Sequence, residues 1–283
     1  MKLSLSGLTA LVLLSACSVG TNANTELVSL DQAIRMASGG VTSDEAARGV
    51  RRANAFQGRQ YRIGMLHARR LRTFLLYLPP QFATGGALPL VFNFHGAGGN
   101  SQQQSDMTLL RDKARREGFI LVEPDGTPIR PLLLRRLGWN AGTCCGSPAS
   151  RQIDDVGFVK KILSGFSSAH VNRSRVHGVG FSNGGMFTHR LGCELSDEFA
   201  SIAVVAAVVA DQEPGSSAKA YACNVKRSVP VLLINGEKDN CIPFAGGQAS
   251  CLGSSHNLLS VEDALAFGRT TTIAVLTSLP LSR

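Results

Sequence analysis

From Arg72 onward, short apolar runs of strand length alternate with longer stretches whose apolar residues recur at helical spacing, and turn signals separate the two. The runs predict strands over Thr73 to Leu78, Leu90 to Phe94, Phe119 to Val122, Arg175 to Val179, Ile202 to Val209 and Val231 to Ile234. Gln102 to Glu117, Asp154 to Phe166 and Gly185 to Leu195 read as helices between them. Apolar runs without alternation belong to strands buried on both faces, so the expected class is α/β, a mostly parallel sheet flanked by helices. Asp154 and Asp155 stand where an acidic first turn complements the helix dipole. Both are read as caps, since adjacent residues on a helix point to different sides and make a poor catalytic pair.

The N-terminal part has a different texture. Lys2 is followed by an apolar stretch, Leu8 to Leu14, and then by small residues, the pattern of an export signal over residues 1–16. Leu14-Ser15-Ala16-Cys17 resembles the lipobox of bacterial lipoproteins, which makes Cys17 the candidate lipidation site and a membrane a partner through that anchor. An ordinary secretory signal that happens to end near a cysteine is the alternative, and either reading places the protein outside the cytoplasm. Residues 17–58 read as a tether with a short helix around Ser29 to Met36, residues 59–267 as one globular domain, and residues 268–283 as an aberrant tail.

Composition narrows the picture in two ways. The net charge is +9, but with one Trp and three Tyr the basic residues do not interleave with aromatics, so nucleic acid is not an expected partner. The densest basic stretch, Arg48 to Arg72, either meets acidic lipid headgroups or keeps the surface solvated, and the solvated face is the preferred reading. Setting Cys17 aside, Cys144, Cys145, Cys193, Cys223, Cys241 and Cys251 form an even set in an oxidising compartment, which favours disulfides over metal ligation. Sequence does not choose among the pairings; Cys241 with Cys251 and Cys193 with Cys223 are the expected ones. No metal or cofactor is implied.

Two motifs carry chemistry. Gly180-Phe181-Ser182-Asn183-Gly184 follows an apolar strand and opens a helix, which is the context in which a G-x-S-x-G turn presents a nucleophilic serine. His95-Gly96-Ala97-Gly98-Gly99-Asn100 directly follows the strand ending at Phe94. An N–H at Gly96 or Ala97, together with that of Asn183, is the candidate oxyanion hole. His95 is read as a structural residue that holds this loop in shape. Asp239 follows the strand Val231 to Ile234 and is the candidate triad acid. The chain order Ser, Asp, His then calls for a later histidine, and His256 is the one histidine after Asp239. Trp139 is read either as a stacking platform or as core.

The stretches FLLYLPPQF, PLVFNFHGAGGN, WNAGTCCG, IDDVGFV, GFSNGGMFTHRLGCELSDEFASIA and PVLLINGEKDNCIPFAGG resemble the polyhydroxybutyrate depolymerase and feruloyl esterase-like family of secreted esterases, over roughly Arg72 to Phe267. The resemblance implies an α/β-hydrolase domain that cleaves polyester, feruloyl or acetyl esters, with Ser182 as nucleophile and Asp239 as acid. It also implies a further strand and a histidine-bearing loop after SVEDALAF, where this chain reads GRTTTIAVLTSLPLSR. The expectation is therefore a truncated or frameshifted member that lacks its last strand and its histidine loop. Three readings follow from that departure: an esterase that recruits His256 or His189 as base, a lipid-anchored binding protein without turnover, and a nonfunctional gene fragment.

Overall fold

The computed structural model describes residues 27–38, 57–209, 221, 223–249, 256–266 and 272–276. Residues 1–16, expected to be an export signal, and Cys17 and Cys251 lie outside them. Nine strands form one sheet among the described residues. They are β1 (Leu27–Val28), β2 (Arg59–His67), β3 (Arg70–Leu78), β4 (Leu88–Phe94), β5 (Ile120–Pro124), β8 (Val171–Phe181), β9 (Ser201–Val205), β10 (Val231–Ile234) and β13 (Thr272–Leu276). Their order in space is β1-β2-β3-β5-β4-β8-β9-β10-β13. From β5 to β13 every pairing is parallel, and β3 runs antiparallel to both β2 and β5. Two small hairpins pair β6 (Thr127–Pro128) with β7 (Leu137–Gly138) and β11 (Gly247–Ala249) with β12 (His256–Leu258).

The expectation of a missing last strand is corrected by this sheet. Residues 272–276 lie parallel to β10 and extend the edge where the absence was expected. Thr272, Thr271 and the apolar run behind them have the composition of a strand even though they do not resemble the family. On the N-terminal side the short helix expected around Ser29 to Met36 is present. Residues 27 and 28 pair with β2, and α1 (Leu30–Ala37) turns Leu30, Ala33, Ile34 and Ala37 into the core, with Ser29 capping the Gln32 N–H.

Alternation along the strands explains the two covered faces. Phe74, Leu76, Leu78, Leu90, Phe92, Phe94, Ile120 and Val122 share one core with Ile34 of α1, Phe158 and Ile162 of α5 (Asp155–Ser164), and Phe187 and Leu191 of α6 (Asn183–Glu194). Their neighbours Tyr77, Leu121 and Val91 face the other way, against Ala114 and Leu110 of α3 (Leu110–Glu117). Burying each large side chain stabilises by roughly 1.5–3 kcal/mol. The single helix expected over 102–117 is two, α2 (Ser101–Thr108) and α3, because Leu109 takes a left-handed conformation at φ 53°.

The parallel core of the sheet brings three loops to one edge. Ser182 follows β8, Ala206 follows β9 and Asn235 follows β10, and the exits are stitched together: the Ser182 N–H donates to Val205 O at 2.9 Å and the Ala206 N–H to Ile234 O at 2.8 Å. Ligand sites in such sheets form outside the carboxyl ends of the strands.

Candidate active site

Ser182 sits at the turn from β8 into α6 with φ 53° and ψ −124°. A non-glycine residue held there costs on the order of 1–3 kcal/mol, and it persists only where the surroundings enforce it. The enforcement is visible in the flanking glycines. A Cβ on Gly180 would run into Gly184 O and the Thr188 hydroxyl, and one on Gly184 into the carbonyls of Phe94 and His95. The serine is half-buried and its side chain makes no capping bond to α6.

The loop after β4 lies directly against it. A Cβ on Gly96 would come within 3.3 Å of Ser182 Cβ and 3.1 Å of the Phe181 ring. His95 organises this loop from a position only 1% exposed. Its Nε2 is 3.0 Å from the Gly126 N–H and its Nδ1 is 2.8 Å from Gly96 O. A backbone N–H can only donate and a carbonyl can only accept, so Nε2 is the acceptor and Nδ1 carries the proton. Burial lowers the pKa of His95, opposed by its bond to Gly96, and keeps the ring neutral. The Gly96 carbonyl also accepts from the Gly99 N–H at 3.1 Å. With that carbonyl held inward by two donors, the trans peptide directs the Ala97 N–H the opposite way. Ala97 is exposed, and Asn183 supplies a first-turn helical N–H beside the serine.

Three residues outside the two motifs hold this arrangement. Asn183, fully buried, accepts the Trp139 N–H at 2.8 Å with Oδ1 and donates to Trp139 O at 3.2 Å with Nδ2. Trp139 donates through Nε1 to His95 O at 2.9 Å and stacks on Phe187 with centroids 5.0 Å apart. It is 0% exposed, so of its two readings the structure supports core. Asn140 next to it donates its N–H to Asp155 Oδ2 at 2.8 Å, and Asp155 Oδ1 takes the Arg72 guanidinium at 2.7 Å. Of the two expected caps, Asp154 is one, accepting the Gly157 N–H at 2.8 Å. Asp155 is instead a buried tertiary anchor. The sequence signal for it was weak, one acidic residue of a pair beside a helix start.

The loop carrying Trp139 continues into Cys144 and Cys145, which are bonded to each other, a pairing that sequence did not single out. Cys193 and Cys223 form the expected disulfide. Cys241 is disulfide-bonded as well, while its expected partner Cys251 lies outside the described residues.

Asp239 lies beyond β10, at the same sheet edge as Ser182. Its Oδ1 accepts the N–H groups of Cys241 at 2.7 Å and Ile242 at 3.0 Å, and among the described residues Oδ2 takes no hydrogen bond. The histidines are placed less simply. His67 bonds Asp154, His170 bonds Ser167, and His177 bonds Ser201. His189, 1% exposed, bonds Tyr221 Oη and Ala264 O, and burial lowers its pKa to about 4. None of these bonds reaches Ser182. His256 begins β12, in a hairpin downstream of Asp239.

No family model matches the chain. It is 30% identical to feruloyl esterase B of Piromyces equi over 177 residues, 62% of this chain and 31% of that protein. Feruloyl esterase B of Thermothelomyces thermophilus is 30% identical over 133 residues, 47% of this chain and 43% of that one. The chain thus spans less than half the length of either relative. The S-formylglutathione hydrolase of Agrobacterium tumefaciens superposes with a TM-score of 0.53 at 16% identity, covering 79% of this chain and 88% of that one, a likeness of fold.

Proposed function

We propose that the chain is a carboxylic ester hydrolase of the feruloyl esterase-like α/β-hydrolase kind, with Ser182 as nucleophile, a reading supported by its likeness to feruloyl esterases and by the fold. The observation that carries this is the strained serine packed against Gly96 at the mouth of a glycine-rich loop. In the proposed reaction Ser182 Oγ attacks the acyl carbon as its proton passes to a base, and the carbonyl oxygen becomes an oxyanion. The N–H groups of Asn183 and Ala97, with Gly96 at the same bend, stabilise that charge, each donor contributing about 3–4 kcal/mol in comparable sites. The alcohol then leaves with the proton, and water releases the acid from Ser182.

Asp239 is proposed as the residue that orients the base, since its Oδ1 is fixed by two amides while Oδ2 remains to accept an imidazole N–H. Chain order points to His256 for the base. Among substrates, feruloyl esters rank first because several relatives carry that name; acetyl esters come next, one relative being named an acetylxylan esterase/xylanase, and polyesters follow from the resemblance alone. Export and lipidation at Cys17 are part of the same proposal, resting on the signal-like segment of residues 1–17. No helix among the described residues is long and apolar enough to cross a membrane.

A second reading, a protein that binds esters without turning them over, is favoured by one observation: the five histidines with described side chains are all engaged away from Ser182. Hydrolysis of 4-nitrophenyl acetate and methyl ferulate separates the two readings. Turnover that disappears in Ser182→Ala and falls sharply in His256→Gln supports the esterase with its proposed base. Turnover unchanged in Ser182→Ala refutes the nucleophile, and binding of methyl ferulate without any turnover supports the second reading.

A further inference from the structure

The loop joining β6 to β7 reads Arg130-Pro131-Leu132-Leu133-Leu134-Arg135-Arg136. Leu132 is 94% exposed and Leu134 72%, more than any other large apolar residue among those described. The loop holds them there. The Leu133 N–H donates to Arg130 O at 3.0 Å, the Arg136 N–H to Leu133 O at 2.9 Å, and the Ile129 N–H to Arg136 O at 2.9 Å. These closed turns form an ordered tip with leucines in water and arginines on either side.

Behind the tip lies a cavity of about 180 Å³ bordered by Leu134, Pro131, Ser147, Arg70 and Arg151. The arginines at 62, 72, 173 and 190 are paired with carboxylates, whereas Arg35, Arg59, Arg69, Arg111, Arg115, Arg116, Arg175 and Arg227, scattered over the chain, are not. Among the described residues Arg70, Arg130, Arg135, Arg136 and Arg151 make no such pair. Asp154, which borders the adjoining cavity with Arg70, is engaged by His67. One face therefore combines a rigid apolar tip with five unneutralised guanidinium groups. A purely apolar partner would strand the charges, and a nucleic acid would leave the leucines in water.

We infer that this tip is a docking surface for an anionic phospholipid bilayer. The leucines enter the acyl boundary, Arg130, Arg135 and Arg136 meet phosphates at the rim, and the cavity between Arg70 and Arg151 receives a headgroup. The same hairpin is bonded to the loop beside Ser182, with the Gly98 N–H donating to Leu137 O at 2.7 Å and the Leu137 N–H to Gly99 O at 3.2 Å. Docking through the tip brings the mouth of the candidate site to the membrane surface. The inference does not depend on what Ser182 does.

The test uses full-length chain carrying Cys17→Ser, which has no lipid attachment at that position, in flotation with vesicles of phosphatidylglycerol and phosphatidylcholine mixed equally, or of phosphatidylcholine alone. Binding to the anionic vesicles is expected to exceed that to neutral ones, and to weaken with salt. Arg130→Gln/Arg135→Gln/Arg136→Gln is expected to lower partitioning roughly 100-fold, and Leu132→Ser/Leu134→Ser about tenfold or more. All five positions are exposed, so a cooperative melt like the parent's accompanies either result. Equal binding to both vesicle types, or tip variants that partition like the parent, overturns the inference.

Discussion

Replacing Asp155 with alanine probes the anchor on which the site's loops depend. Asp155 and Arg72 have side chains 0% and 3% accessible, 2.7 Å apart. Arg72 also donates to Asp125 O at 3.1 Å and lies over the Phe158 ring, 4.2 Å from its centroid. Asp155→Ala therefore leaves a guanidinium buried without its counter-charge, which costs about 3–5 kcal/mol. It also strands the Asn140 N–H, adding about 1–3 kcal/mol. Relaxation that lets water reach Arg72 recovers part of this, so a net loss of about 4–6 kcal/mol is expected, against a total stability of about 5–15 kcal/mol for a domain. The double variant Arg72→Met/Asp155→Leu removes both charges and is expected to lose only about 1–3 kcal/mol, chiefly through the orphaned Asn140 N–H. Urea unfolding under non-reducing conditions, read by the fluorescence of the single Trp, Trp139, measures all three chains. A loss below about 1 kcal/mol in Asp155→Ala, or a double variant less stable than the single one, refutes the reasoning.

Two further predictions follow from buried polar groups. Glu123 is 2% exposed and accepts from Asn93 Nδ2 at 2.7 Å, and desolvation raises its pKa from 4.5 to about 7 against that hydrogen bond. A raised folded pKa means the folded state holds the proton more tightly, so stability should fall as pH rises from about 4.5 to about 7, by on the order of 3 kcal/mol, and then level off. Glu123→Gln should abolish that slope in denaturation midpoints taken across the range, and an unchanged slope contradicts the assignment. Asn183→Ala removes both side-chain bonds to Trp139 while keeping the backbone N–H, so kcat for an aryl ester should fall about 10–100-fold with KM nearly unchanged. A rise in KM alone would show that the clamp serves substrate binding instead.

Much of the fold was legible because the central strands are buried on both faces and therefore read as unbroken apolar runs, as in Leu90 to Phe94 and Val231 to Ile234. β2 was not, since Arg59, Gln60 and Arg62 interrupt it and its side chains near the sheet margin are largely half-exposed. The break at Leu109 was hidden because a leucine in the left-handed region runs against local propensity. At the site, the serine turn and the glycine-rich loop were legible from glycines that sterics require. The clamp of Asn183 on Trp139 and the Arg72 to Asp155 pair join residues 44 and 83 positions apart, and nothing local marks such partners. The strand at residues 272–276 does not resemble the family, yet its Thr, Ile and Val favour extended backbone, so local composition and not family likeness marks it.

On the proposed function, the bend after β8 presents a reactive hydroxyl to an oxyanion-binding loop. Incubating the full chain with an alkyl fluorophosphonate and mapping the adduct by peptide mass spectrometry tests it most directly, because the phosphonyl oxygen must occupy the same amide pocket as an ester oxyanion. One stoichiometric adduct on Ser182 is expected, slowed in Asn183→Ala. An adduct on another residue, or a native chain that takes up no label, would contradict it.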